Sequence, residues 1–320
     1  MKGPRILVVR LGAMGDVIHA LPAVASLKQS LPHASISWIV EPKWAPLLQG
    51  NPCLDQVILF ERSSLAGLRA SLRALRSQHF DYAVDFQGLI KSALLVSMAR
   101  ADRIYGFDRH GAREAAASWF YSHRVALRNY HAVERNLDLV AGAGATSLLK
   151  NFPLPLGEPE GVLPEPPFVL ANPQAGWGAK QWPLEYYSQI GERLRRETGM
   201  DLVLNAAEAI HTPHTLSHVS TLSGLIDATR RASAVIGVDS GPLHLAAALG
   251  KPGVAIYGPT EPARHGPYGD SITVLRSPGA ATTYQRSAEP AASMREITPD
   301  KVFAALEKTI RAESRAQPQR

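Results

Sequence analysis

Residues 5–23, RILVVRLGAMGDVIHALPA, decide how the fold is read. The apolar run Arg5–Val9 passes through a turn holding Gly12 and Gly15 into residues that repeat apolar side chains at helical spacing from about Val17. A strand that turns sharply into a helix is the opening of a βαβ unit. Glycine permits the tight turn, and the N–H groups at a helix start attract negative charge. The spacing is not G-x-G-x-x-G, and no run in the chain matches G-x-x-x-x-G-K-[ST], so hydride transfer and phosphate-loop NTPase chemistry lose their usual support. Asp16 stands where the turn meets the helix. It can cap the helix, or, since the turn follows the first strand, it can sit at the ligand-binding end of a sheet and act as a general base.

Working outward, the same alternation recurs. Ile36–Val40, Val57–Phe60 and Tyr82–Phe86 read as strands, with helices through Leu68–Leu75 and from Leu89. The stretch 151–167, NFPLPLGEPEGVLPEPP, has six prolines and no apolar period, and reads as an extended linker. Beyond it, strands Phe168–Ala171, Leu202–Asn205, Ala234–Val238 and Val254–Tyr257 alternate with helices at Leu184–Arg195, from about Leu222, from Pro242 and near Pro299–Ile310. The expected architecture is α/β: two Rossmann-like doubly wound domains, residues 1–150 and 168–320, joined by the linker, with ligands at the carboxyl ends of the strands and in an interdomain cleft. The last helix is expected to pack back on the first domain. Between Asn205 and Ser220 there is too little chain for the helix and strand that the alternation requires.

Composition agrees with an ordinary folded chain: 320 residues, 45% hydrophobic and 19% charged. The one cysteine, Cys53, excludes an internal disulfide framework and points to a reducing compartment. The N-terminal apolar run is broken by Arg10, too short for a secretory signal, and no run approaches the roughly 20 apolar residues that span a bilayer. A cytoplasmic protein is expected, with any membrane contact peripheral. Residues 1–150 carry 18 Lys and Arg against 11 Asp and Glu, a balance of +7, and residues 151–320 carry 16 against 17, a balance of −1. An anionic partner would meet the first half, or that half merely carries a solvated basic face.

Three further segments carry possible chemistry. In 234–250, AVIGVDSGPLHLAAALG, a strand ends in Asp239, Ser240 and Gly241, Pro242 suits a first helical turn and His244 follows within it. The backbone N–H groups of Ser240 and Gly241 at a helix start can hold a diphosphate while Asp239 accepts from sugar hydroxyls; a plain cap by Asp239 or Ser240 is the alternative. In 172–183, NPQAGWGAKQWP, Gly176 and Gly178 free the backbone to approach a ligand and Lys180 brings a cation. Lys180 would offset charge on a leaving diphosphate, or is a surface lysine over Trp182. In the basic half Gln87, Lys91, Arg113, His131 and Arg135, together with Arg62, are candidates for the carboxylates or phosphates of an acidic acceptor, unless Glu134 and Asp138 simply pair with Arg135. There is no D-x-D, no H-E-x-x-H and no ligand-spaced histidine pair, so no metal is expected; without G-x-S-x-G or a cysteine beside a base, covalent hydrolase chemistry is disfavoured.

In their order and intervals, L-G-A-M-G-D-V-I-H-A-L-P, D-F-Q-G-L-I-K-S-A, H-A-V-E-R, A-G-W-G-A-K-Q-W-P and V-D-S-G-P-L-H-L-A-A-A-L resemble the lipopolysaccharide heptosyltransferases of glycosyltransferase family 9, over most of residues 1–260. The M-G-D-V-I-H and Q-G-L-I-K-S-A segments look like the type I branch. The resemblance implies a GT-B fold and metal-independent, inverting transfer of L-glycero-D-manno-heptose from its ADP derivative to the first Kdo of Kdo2-lipid A, with no resident cofactor. It makes Asp16 the base. Lys180 and the Ser240–Gly241 turn become diphosphate contacts, Asp239 a heptose contact and His244 a donor-site residue, with Arg62, Gln87, Lys91, Arg113, His131 and Arg135 on the acceptor side. It also implies a monomer at the cytoplasmic face of the inner membrane, with no nucleic-acid partner. Where relatives carry hydroxyl residues in the phosphate loops this chain has Ala13, Ala175 and Gly176, so backbone N–H groups or water must serve the donor there. Glu208 is the remaining candidate for the donor ribose. The alternatives are a related transferase with another sugar nucleotide or acceptor, and a non-enzymatic nucleotide- or lipid-binding protein on a degenerate scaffold.

Overall fold

The structure, a computed structural model, describes residues 3–283 and 287–316. The chain divides into two compact units, Met1–Pro155 and Leu156–Arg320. In the first, β1 (Arg5–Val9), α1 (Met14–Ser30), β2 (Ser35–Val40), β3 (Gln56–Leu59), α2 (Leu65–Arg76), β4 (His79–Asp85), α3 (Ile90–Ser97), β5 (Arg100–Phe107), β6 (His123–Val125) and α4 (Ala132–Gly142) follow in order, with 3-10 turns at Pro42–Leu48 and Ala115–Phe120. The sheet is parallel throughout, ordered β3-β2-β1-β4-β5-β6. Strand order therefore reverses between β1 and β4, and loops leaving these two strands diverge to opposite faces, opening a crevice at their carboxyl ends.

One face of this sheet is covered by α2, α3 and the second 3-10 turn, whose Leu75, Leu95, Val96 and Ala117 join Leu7, Val9 and Ile39 in one apolar cluster. On the other side α1 packs on α4. Helix α1 is apolar nearly all round because it is enclosed: Asn136 of α4 donates to the His19 carbonyl (2.9 Å), and Ser26 Oγ receives the Leu149 N–H (2.8 Å). The helix that carries Asp16 is thus fixed along its length.

The second unit runs β7 (Phe168–Asn172), α5 (Leu184–Thr198), β8 (Asp201–Ala206), β9 (Leu216–Val219), α6 (Leu222–Arg231), β10 (Ala234–Val238), α7 (Gly241–Ala248), β11 (Gly253–Tyr257), α8 (Pro262–His265), β12 (Ile272–Arg276), α9 (Ala292–Arg295) and α10 (Pro299–Ala316). Its parallel sheet, β12-β11-β10-β7-β8-β9, repeats the first topology, with the reversal between β7 and β10. Its core gathers Trp182, Tyr187, Ile236, Val254, Val302 and Phe303.

Two expectations change. The 151–167 stretch is not a free linker: Asn51 Nδ2 holds the Pro153 carbonyl at 2.9 Å in the first unit, while in the second Glu160 accepts the Thr221 N–H and hydroxyl, both at 2.6 Å, and Glu158 N donates to Ser223 Oγ at 3.1 Å. Between β8 and β9 the strand is present and the helix is what is missing; residues 207–215 make the whole crossover, against the dozen or more that usually join parallel strands. Helix α10 packs an apolar face within its own unit, through Val302, Phe303 and Leu306 and contacts with α5 and β11.

Candidate active site

In the first unit the crevice at the β1/β4 reversal is an open cavity of about 400 Å³. Gly12, Ala13 and Asp16 line it from the β1–α1 turn, Gln87, Leu89 and Lys91 from the β4–α3 turn, and Glu41, Lys43, Trp44, Arg113 and Glu114 close it. Helix α1 begins at Met14, earlier than its apolar period suggests, so Asp16 is its third residue and not its cap. The Asp16 carboxylate accepts the Ala13 N–H at 3.2 Å and pairs with Arg10 at 2.7 Å. Arg10 is itself tied to the Phe86 carbonyl at the end of β4. The carboxylate is therefore aimed by both strands of the reversal, and at about a quarter exposure it remains open to a ligand.

Gln87 acts inward: its Oε1 accepts the Leu11 N–H at 2.9 Å, and its own N–H donates to Asp85. Asp85 is fully buried and also receives the hydroxyls of Ser92 and Tyr121, each at 2.8 Å. Burial pushes its carboxyl above the usual carboxylate range despite these donors. Gly88, at φ +62°, takes the left-handed turn, and a Cβ there would crowd the Arg113 backbone.

The proposed acceptor residues separate into groups. Lys91 and Arg113 line the cavity, and neither forms an ion pair with a carboxylate among the described residues. Arg62 reaches it only through Glu41, at 3.1 Å. His131 and Arg135 do not line it. His131 caps α4, its Nδ1 accepting the Val133 N–H, and meets the His19 ring edge to face. Arg135 donates to the Gly111 carbonyl at 2.6 Å and lies over Phe107, so it braces the loop that leads to Arg113. Glu134 pairs with Lys150, and Asp138 accepts the N–H groups of Arg128 and Asn129. Sequence reading missed Trp44, Glu41 and Lys43. The glycine at 12 was the available signal for the first, because a Cβ there would come within 2.5 Å of the Trp44 indole nitrogen.

In the second unit the β7/β10 reversal holds the corresponding loops. Lys180 Nζ lies 2.5 Å from Asp239 Oδ2, with both side chains mostly out of water. The ring beneath Lys180 is Trp177, at 4.7 Å, whereas Trp182 is core and donates to the Ile297 carbonyl. Helix α7 starts at Gly241 with Ser240 as N-cap residue, but no side chain caps it, which leaves its first N–H groups to a ligand. The Ser240 hydroxyl is buried without a hydrogen-bond partner, as is that of Thr260 in the loop after β11. An orphaned hydroxyl at an uncapped helix start is what a bound anion would satisfy. Thr260 escaped the sequence reading because no glycine or charge marks it. His244 is buried in the second turn of α7.

The remaining donor-side candidates are placed as follows. The Ala13 N–H is spent on Asp16, in the first unit. Of the two loop glycines only Gly176 faces open space; at Gly178 a Cβ would strike the Ala288 carbonyl, so that glycine serves the chain's own packing. Glu208 is exposed in the 207–215 loop, and no contact ties it to the Lys180–Asp239 pair.

Two doubly wound parallel units, each with its polar loops at the strand-order reversal, define a nucleotide-sugar glycosyltransferase of the GT-B fold. The chain superposes on Escherichia coli heptosyltransferase WaaC with ADP at a TM-score of 0.78 and 26% identity, covering 95% of this chain and 99% of that one. It superposes on E. coli ADP-heptose lps heptosyltransferase II at 0.77, with 24% identity and 97% and 99% coverage. Lipopolysaccharide heptosyltransferase 1 of E. coli K12 is 31% identical over 310 residues, 86% of this chain and 94% of that protein. The Pseudomonas aeruginosa heptosyltransferase 1 is 31% identical over 305 residues, 85% and 84%. The model of glycosyltransferase family 9 (heptosyltransferase) matches residues 68–293, and the chain belongs to that family.

Proposed function

We propose that this enzyme transfers L-glycero-D-manno-heptose from ADP-heptose to the first Kdo of Kdo2-lipid A in lipopolysaccharide inner-core synthesis, with inversion at the anomeric carbon. The observation that carries the reading is the Asp16 carboxylate, oriented by Arg10 and opening on a cavity whose rim cations, Lys91 and Arg113, suit an acidic sugar and its phosphates. Asp16 takes the proton of the acceptor hydroxyl while that oxygen bonds to the anomeric carbon. The bond from that carbon to the donor phosphate breaks, and ADP leaves with the electron pair. Lys180 and the N–H groups opening α7 meet the charge that grows on the diphosphate. Asp239, now paired with Lys180, turns its second oxygen to heptose hydroxyls.

No resident metal or cofactor enters this scheme. Among the described residues no helix is long and apolar enough to cross a membrane. With a +7 first half, the reading places the protein at the cytoplasmic face of the inner membrane as a peripheral monomer.

Release of ADP from ADP-heptose, with and without Kdo2-lipid A, tests the scheme. Acceptor-dependent release is expected, and Asp16→Asn should lower it by about 10²–10⁴-fold with ADP binding intact. Nucleotide binding without acceptor-dependent release would leave a binding protein, and full activity in Asp16→Asn would remove the base.

A further inference from the structure

The layer of α2, α3 and the 3-10 turn at Ala115–Phe120 has an outer surface unlike that of a water-facing helical layer. Along α3, Ile90, Leu94 and Met98, the last just past its end, stand at i, i+4 and i+8 on the side away from the sheet, 40, 45 and 43% exposed. Their neighbours Ser92, Ala93, Leu95 and Val96 are buried, so the helix is apolar both inward and outward. The adjoining 3-10 turn adds Trp119, 77% exposed. Scattered exposed apolar residues need no explanation, but an aligned stripe beside an exposed indole does.

Charge says what covers it. Neither α2 nor α3 contains an acidic residue, while Arg69, Arg73, Arg76 and Lys91 are exposed on them and Arg100 follows α3. Of the carboxylates flanking these helices, Glu114 accepts the Ile90 N–H at 2.7 Å, Asp102 pairs with His79 at 2.8 Å, and Glu61 accepts the Ser63 N–H and hydroxyl ahead of α2. An apolar ridge with an exposed tryptophan, bearing Lys91 on its helix and followed by Arg100, with the exposed arginines of α2 in the same layer, complements the headgroup and acyl boundary of an anionic bilayer. A second copy of the chain would bring the same cations against these.

We propose that the outer face of α3 with Trp119 is the surface by which this protein docks on anionic lipid. The ridge starts at the cavity, since Leu89 and Lys91 line it and Ile90 lies between them. A docked molecule therefore opens the Asp16 cavity at the lipid surface. That orientation rests on the lipid-borne acceptor proposed above; the docking itself does not.

The test is flotation of the intact chain with phosphatidylcholine vesicles, with and without phosphatidylglycerol. Binding only to the anionic vesicles is expected, with a blue shift of tryptophan emission that is lost in Trp119→Ser. Leu94→Glu combined with Met98→Glu should weaken binding by about tenfold or more, with the melting temperature and the ADP-induced thermal shift unchanged. No binding by the unmodified chain, or equal binding by folded Trp119→Ser and the double variant, would overturn the proposal. So would a dimer in solution that the double variant splits, which would make a second copy the occupant. Vesicle binding by a chain that transfers no heptose would retain the docking surface and lose only the function proposed above.

Discussion

Lys180 and Asp239 lie 2.5 Å apart and largely out of water, so each stabilises the other's charge, and a donor diphosphate must draw Lys180 partly away from Asp239. Removing the lysine alone leaves a carboxylate with no counter-ion in a dry loop, which costs more than removing both groups. Lys180→Ala is therefore expected to lower the melting temperature and Lys180→Ala/Asp239→Ala to recover part of the loss. Both should bind ADP about tenfold to a hundredfold more weakly, as the loss of a charge-assisted contact implies. Thermal melts and ADP titrations of the four-membered cycle measure this, and additive losses would mean that the pair carries no coupling. Sequence showed Lys180 and Asp239 as chemistry-bearing residues of separate loops. It did not show them joined, because the pairing depends on β7 and β10 being neighbours although their paired positions Asn172 and Gly237 are 65 residues apart, a property of topology and not of local pattern.

At the scale of elements, the end of β4 is organised by a buried acid. Asp85 gathers Ser92 of α3, Tyr121 and the Gln87 backbone, and through Gln87 it fixes Leu11 in the turn before Asp16. Its carboxyl is raised by burial, so the fold favours the protonated form more than the unfolded chain does. The sign follows: the contribution is fully present below the ordinary carboxylate value and is lost as pH rises through the raised one. The melting temperature of the unmodified protein should thus decline relative to Asp85→Asn on going from acid to neutral pH. Parallel melting curves across that range would show that the group titrates normally. Of the strands that sequence made legible, β1, β2, β4, β7, β8, β10 and β11 are buried along nearly all their length, so their apolar runs are unbroken, and the edge strand β3 keeps its short apolar run although half of it is exposed. By contrast β5, β6, β9 and β12 lie toward the sheet edges and carry exposed or polar residues, as in Arg100-Ala-Asp-Arg103 of β5, which breaks the run that a reader looks for. Arg135 misled for a related reason, since a helical arginine's partner lies in a distant loop, at Gly111.

The whole molecule is two units built on one topology, each with a core of its own, and the proposed roles are divided between them: Asp16 in the first, Lys180 and the α7 start in the second. The division has a consequence that does not depend on how the units are placed. The segment from Leu156 carries its own fastening to α6, through Glu158 and Glu160, and the core cluster of this unit is built from its own residues, so a fragment 156–320 is expected to fold alone. It is expected to bind ADP within about tenfold of the intact chain's affinity, a difference of roughly 1.4 kcal/mol. It should lose that affinity with Lys180→Ala and release no ADP from ADP-heptose in response to acceptor, because no residue of the fragment replaces Asp16. Circular dichroism establishes that the fragment is folded, and calorimetric titration with ADP gives the affinity. A folded fragment that does not bind ADP would move the donor site out of the second unit, whereas acceptor-dependent release by the fragment would show that the proton is taken by a group other than Asp16.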